Sequence, residues 1–139
     1  EIVLLNAIEL VEINNKEIYA SGFWLFYCDY SVIRPPRFAY NSKCTDEYFR
    51  WAPSEWEVDI DKTVFDVLTP IYNRMSNHMN GKTDDEWECL MEYQWEFYSS
   101  FCFKINSEIS CDTSPFRKWK KSSDFVIGIF EEHRPKKSC

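Results

Sequence analysis

Residues 17–30 read EIYASGFWLFYCDY, and this aromatic-rich run constrains the fold more than any other feature of the sequence. Apolar side chains occupy both alternating sets of positions, which is typical of a strand that is covered on both faces. Such a strand needs neighbouring strands beside it and other elements above and below it. We therefore expect it to be the central strand of a small sheet.

The segments around this strand predict a second strand and several helices. RFAYNS at 37–42 follows the turn at Arg34-Pro35-Pro36 and predicts a hairpin partner for the first strand. Apolar spacing predicts a helix over 2–13, with Ile2, Leu5, Ile8 and Leu10 among polar positions. A second helical pattern runs from 61 to 79, where Pro70 kinks or restarts it and Gly81 marks its end.

The clearest element is the helix that begins at Thr83. Thr83 and Glu86 have the spacing of a capping box, in which each residue satisfies a backbone group of the other. One face collects large apolar residues, namely Trp87, Leu90, Met91, Trp95 and Tyr98. The other face carries acids three and four positions apart, namely Asp85, Glu88, Glu92 and Glu96. No Lys or Arg occurs from 83 to 103, so these carboxylates repel one another without relief.

The order of helix, strands, helices and a last strand at 124–130 predicts an α+β fold. We expect one compact domain over residues 1–139, with a small, mainly antiparallel sheet packed against three or four helices. Residues 131–139, EEHRPKKSC, are expected to form an exposed tail. The aromatic fraction of 18% excludes a disordered chain, because disordered segments lack the side chains that form a core.

The net charge of −7 is concentrated in one segment. Residues 46–96 hold 13 acidic against 4 basic residues, whereas the rest of the chain is slightly basic. An acidic field repels nucleic acid and attracts basic proteins, so we expect a basic protein partner. The basic run FRKWKK, with Arg117, Lys118, Trp119, Lys120 and Lys121, is interpreted as a solvated loop; the alternatives are a weak phosphate contact and an internal partner for the acidic helix.

RWAPSEWEVD at 50–59 places two tryptophans inside the acidic segment. One interpretation is a corner that fixes a loop to the core, because tryptophan is usually buried. The other is a surface anchor with an acidic rim, formed by Glu55, Trp56, Glu57 and Asp59. We predict that these four residues bind the partner together with Asp85, Glu88, Glu92 and Glu96.

Catalytic, metal and cofactor sites are not predicted. His78 and His133 are the only histidines, and neither lies beside a nucleophile or in a known catalytic motif. The acids at 59, 61 and 66 lack the glycine and the terminal glutamate of a calcium loop. No apolar run reaches the roughly 18 residues of a membrane span, so no membrane partner is expected.

The chain has six cysteines with wide spacing and without a zinc-ligand pattern: Cys28, Cys44, Cys89, Cys102, Cys111 and Cys139. Several lie in apolar runs, where a free thiol acts as a small hydrophobic group. We expect reduced cysteines and a cytoplasmic location. The alternative is a secreted protein with disulfide bonds, since the cysteine count is even.

The first half of the chain resembles a family of small bacterial domains of unknown function. The shared features are an early aromatic strand and an RW-[SA]-P-x-EW block; the residues that match are Ile18, Tyr19, Asp29, Asn41, Arg50, Trp51, Pro53, Glu55 and Trp56. Members look like proteins encoded near polymorphic toxin systems. The resemblance therefore implies an immunity protein that neutralises a basic bacterial toxin, without enzymatic activity or cofactor. The alternative is a structural or adaptor domain whose acidic helix face is merely solvated.

Overall fold

The computed structural model describes residues 1–13, 15–26, 32–42, 56, 58–59 and 66–132. This part of the chain forms three α-helices, a short 3-10 turn at Asp66–Leu68, and a mixed sheet. The helices are α1 (Ile2–Glu9), α2 (Thr69–Met79) and α3 (Asp84–Ser107). The strands are β1 (Ile18–Phe26), β2 (Arg37–Asn41), β3 (Val58–Asp59) and β4 (Lys121–Glu132). The predicted α+β class is confirmed.

The sheet has the strand order β3-β2-β1-β4, so the aromatic-rich strand β1 lies inside it as predicted. β1 pairs with β2 in antiparallel register, with Phe23 opposite Phe38. The short strand β3 extends the sheet beyond β2, also antiparallel. The pairing of β1 with β4 is parallel, which the sequence did not predict. It is feasible because the long segment that contains α2 and α3 connects these two strands.

The two faces of the sheet have different coverings, because successive side chains of a strand point to opposite sides. Phe23 and Leu25 of β1 point to the helix face, where α1 and α3 pack. The Phe23 ring centroid lies 5.0 Å from those of Phe38 and Tyr98 and 5.8 Å from that of Phe101. Phe23 is therefore the residue that joins β1, β2 and α3 in one core.

The second face of the sheet has a shallow hollow where glycines of two strands lie side by side. Gly22 of β1 is opposite Gly128 of β4, and the ring of Phe130 lies over both. The Trp56 ring meets Phe130 edge to face, with 5.1 Å between ring centroids. Glycine at position 22 is required by the close approach of the two strands, because a Cβ there would lie 2.7 Å from the Gly128 carbonyl oxygen, as well as 2.4 Å from a Phe130 ring atom.

Helix α1 is shorter than predicted, and its buried face includes only part of the predicted apolar positions. It ends at Glu9 instead of continuing to residue 13, and the side chains it buries include Leu4, Ala7 and Ile8. Ile2 and Leu10, which the apolar spacing assigned to the inner side, are 74% and 70% exposed. The sequence IVLLNAIELVEI has apolar residues all around the helix, so periodicity alone could not select the buried face.

The starts of α2 and α3 follow the sequence signals closely. Pro70 lies in the first turn of α2, where its missing N–H costs no hydrogen bond. Gly81 has φ of 78°, a conformation that favours glycine, in the turn between the helices. At the start of α3, the Glu86 N–H donates to Thr83 Oγ1 and the Thr83 N–H donates to Glu86 Oε2. The capping box is confirmed.

Helix α3 and strand β4 are both longer than predicted. The apolar and acidic spacing that predicted α3 ends at Tyr98, whereas the helix continues to Ser107. Near this end the Asn106 side-chain amide hydrogen-bonds to the edge strand β4, as the backbone of a neighbouring strand would. Its Nδ2 donates to the Ile127 carbonyl at 2.8 Å, and the Ile127 N–H donates to its Oδ1 at 2.9 Å. β4 runs to Glu132, so the predicted tail begins inside a strand. Residues 133–139 lie outside the described residues.

Candidate protein-binding face on helix α3

The outward side of α3 carries the acids that the sequence singled out. Asp85 and Glu96 are exposed, whereas Glu88 and Glu92 are half-buried at the border of this side. Cys89, Ser100 and Phe103 are also exposed, at helical spacing from Glu96. We call the exposed side chains of Asp85, Cys89, Tyr93, Glu96, Ser100 and Phe103, with Glu88 and Glu92 at their border, the outer face of α3.

Two large aromatic side chains lie on the outer face, and the sequence reading missed both. Tyr93 is 64% exposed and Phe103 is 77% exposed. Single exposed apolar residues are common on protein surfaces, but exposed aromatic side chains are enriched at protein–protein interfaces. The signal was present in the sequence, because helical periodicity places positions 93 and 103 in the same half of the helix as Glu96.

At the N-terminal end of α3, hydrogen bonds and the helix dipole stabilise negative side chains. The Thr83 N–H and the Lys82 ammonium both donate to the Glu86 carboxylate, and this holds the pKa of Glu86 below its usual range. Asp84, Asp85 and Glu86 lie in the first turn of α3, where negative side chains complement the positive end of the helix dipole. The helix itself therefore stabilises negative charge at this end.

Trp56 does not belong to this surface, and its prediction as an exposed anchor is wrong. The side chain is 8% exposed and packs with Ala20, Ala39 and Phe130 on the second face of the sheet. The helices α1 and α3 cover the opposite face, so the sheet separates Trp56 from the acidic residues of α3. Asp59 lies in β3, and Glu55 and Glu57 lie outside the described residues. The structure therefore does not bring Trp56 together with the acids of α3.

The basic run at 116–121 does not neutralise α3 through its described contacts. Arg117 pairs with Glu9 of α1. Lys121 Nζ donates to the backbone carbonyl of Phe116 at 2.8 Å. Trp119 is buried against Phe38 and other aromatic rings, so it offers no face for stacking on a base. This geometry argues against the phosphate-binding interpretation of the run.

The buried titratable groups of the described core have structural contacts. The hydroxyl oxygens of Tyr72 and Tyr98 are 2.7 Å apart, and burial raises the pKa of Tyr72 to about 12. Burial also raises the pKa of the Cys102 thiol to about 12, and this thiol donates to the Gly128 carbonyl. These groups stay protonated near neutral pH. Within the described residues, no cluster of His, Cys, Asp and Glu has the arrangement of a metal site.

We expect the described cysteines to react with iodoacetamide in a fixed order. Cys89 and Cys111 are free and exposed, so both should be alkylated in the native protein. Cys102 is buried with a pKa raised to about 12, and should react only after unfolding because the thiolate is the nucleophile. Peptide mass spectrometry before and after denaturation measures this. Cys89 and Cys111 that resist alkylation until a reductant is added would instead support the secreted, disulfide-bonded alternative.

Compared with protein-family models, curated proteins and solved structures, the chain matches none of them. The resemblance to the family of bacterial domains therefore stays a prediction. None of the helices in the described ranges combines the length and apolar character that crossing a bilayer requires.

Proposed function

We propose that this chain is a non-enzymatic, cytoplasmic binding protein that occludes a basic protein with the outer face of α3. The observation that carries the proposal is the composition of this face: exposed Asp85 and Glu96 alternate with exposed Tyr93 and Phe103. Acids steer a basic partner toward the surface and speed association. Aromatic side chains contribute contact area with little loss of conformational entropy.

The resemblance adds a biological setting to this physical proposal. An immunity protein blocks a toxin, and the phosphate-binding site of a nuclease toxin is basic. A helix with acids at regular spacing is complementary to such a site, because each carboxylate occupies a position that a phosphate would otherwise take. The proposed partner is therefore a cationic bacterial toxin that acts on nucleic acid or another anionic substrate.

Charge reversal on the outer face is expected to abolish partner binding at low salt. The test variant is Asp85→Lys with Glu96→Lys, and the control is Asp66→Lys with Asp112→Lys, which changes the net charge equally at exposed positions elsewhere. Affinity capture from the native source should retain a basic protein on the native chain and on the control, but not on the test variant. High salt should release it, since exposed charges are screened.

For the immunity proposal to hold, the captured protein must be toxic, and the native chain must neutralise it. Its expression alone should arrest growth, and coexpression of the native chain should restore growth. Equal loss of capture by the test and control variants would show that only net charge matters, which contradicts a specific face. Capture of no basic protein at all would favour the alternative in which the acidic face is solvated and the chain is a structural domain.

A further inference from the structure

The two aromatic side chains of the outer face are separated by a distance that the helix geometry sets. Tyr93 and Phe103 are ten residues apart in the continuous helix α3. This corresponds to about 15 Å along the helix axis and about 80° around it. Exposed Glu96 lies between them on the same half of the helix. Along α3, the outer face thus presents an aromatic, then an acidic and then a second aromatic side chain.

Phe103 is followed in α3 by Lys104, which contacts the start of α1. The Lys104 ammonium donates to Glu1 Oε2 at 3.0 Å, which fastens the start of α1 to the end of α3. Ile2, the residue after Glu1, is 74% exposed. The ion pair also compensates the positive charge of Lys104, which would otherwise repel a basic partner beside Phe103.

The charges of the outer face decide between possible occupants. A second copy of the chain would bring Asp85 and Glu96 against the same acids, and like charges in contact are costly. An anionic membrane is repelled for the same reason. A cationic protein element is favoured, because its positive groups can lie over Glu96 while apolar side chains reach the aromatics on either side.

We infer that the outer face of α3 binds a basic amphipathic helix of the partner, with apolar side chains about eleven positions apart seated on Tyr93 and Phe103. This inference rests on the proposed function and adds the shape and register of the partner. Eleven residues advance about 16 Å and return to nearly the same side of a helix, which matches the axial separation of about 15 Å between the two aromatics. The acids govern the rate of association, and the aromatics govern the rate of dissociation.

Two synthetic lysine-rich helical peptides of equal composition test the inference. One carries two leucines about eleven positions apart, and the other carries them about five apart, on opposite sides of its helix. Fluorescence anisotropy at low salt should show that the native chain binds the first peptide about tenfold more tightly. Phe103→Ser should remove this difference, whereas Val67→Ser, at a side chain that is 55% exposed outside the face, should preserve it.

The outcomes separate the inference from the proposed function. Suppose that both peptides bind the native chain equally and that the Asp85→Lys, Glu96→Lys variant binds neither. The outer face then recognises only charge, so the inference fails and the proposed function stands. A native dimer that Phe103→Ser dissociates, measured by analytical ultracentrifugation, would overturn the inference in favour of a second copy. If charge reversal weakens neither the peptides nor captured protein, the proposed function itself fails.

Discussion

Phe23→Ala is expected to destabilise the protein by about 3–5 kcal/mol, the largest effect of any single substitution considered for the core. Phe23 is fully buried, and its ring contacts rings of β2 and α3 at the centre of the helix face. Truncation removes apolar contact area and leaves a cavity, because three rigid elements surround the site and cannot all move inward. Urea unfolding followed by tryptophan fluorescence measures the free energy of unfolding.

Two further substitutions keep this prediction testable. A loss of this size is a large part of the total stability of a small domain, so the alanine variant can fail to fold. Phe23→Leu fills most of the volume and should cost about 1–2 kcal/mol. Phe103→Ala is a control at the 77% exposed ring and should change stability by less than about 0.5 kcal/mol. Equal stability of Phe23→Ala and Phe103→Ala would contradict the packing described for β1.

Gly22→Ala is expected to destabilise the protein by about 2–3 kcal/mol. The added Cβ would lie 2.4 Å from a Phe130 ring carbon and 2.7 Å from the Gly128 carbonyl oxygen. The ring can move, but the carbonyl belongs to the neighbouring strand and is fixed by the sheet. The substitution must therefore displace β4 from β1 or distort both strands. The shift in the midpoint of chemical denaturation reports this cost.

Gly128→Ala provides the matched control. A Cβ at this position would lie 3.3 Å from the far end of the Phe130 ring and meets no backbone atom at close range. We expect a change within about 1 kcal/mol of zero, since the lower entropy of alanine in the unfolded chain offsets the slight crowding. Phe130→Leu should rescue Gly22→Ala only in part, because the contact with the Gly128 carbonyl remains. Full rescue would show that the ring alone requires glycine.

The residues that stabilise the core and the residues proposed to bind a partner lie on opposite sides of α3, so stability and binding can be tested independently. Phe101 and Tyr98 point inward to Phe23, whereas Tyr93 and Phe103 point outward. Substitutions on the outer face should leave the free energy of unfolding nearly unchanged while altering binding. This separation is what permits charge reversal and Phe103→Ser to test function without the complication of unfolding.

Local signals were sufficient for much of the secondary structure. The capping box at Thr83 and the proline at position 70 mark helix starts through contacts within one turn. The central position of β1 was also predictable, because a strand with apolar residues on both faces must be covered on both. The acids of α3 follow from helical periodicity alone. For the helix starts and the acidic side of α3, the deciding interactions are between residues close in sequence.

Contacts between residues that are far apart in the sequence could not be predicted in this way. The buried side of α1 depends on where Leu4 and Ile8 meet the core, since every side of that helix is apolar. The parallel pairing of β4 depends on the path of the intervening helices, which no local pattern encodes.

The candidate site shows the same division. The sequence by itself determined that an acidic, amphipathic helix starts at Thr83 and that its acids share one side, because periodicity is a property of the helix. Only the tertiary structure decided that Trp56 is buried against Ala20, Ala39 and Phe130 on the second face of the sheet. Only the tertiary structure decided, too, that Phe103 stays outside the core. The physical reason is that an aromatic side chain is buried wherever the assembled elements leave space for it, and that space exists only after the strands and helices have packed.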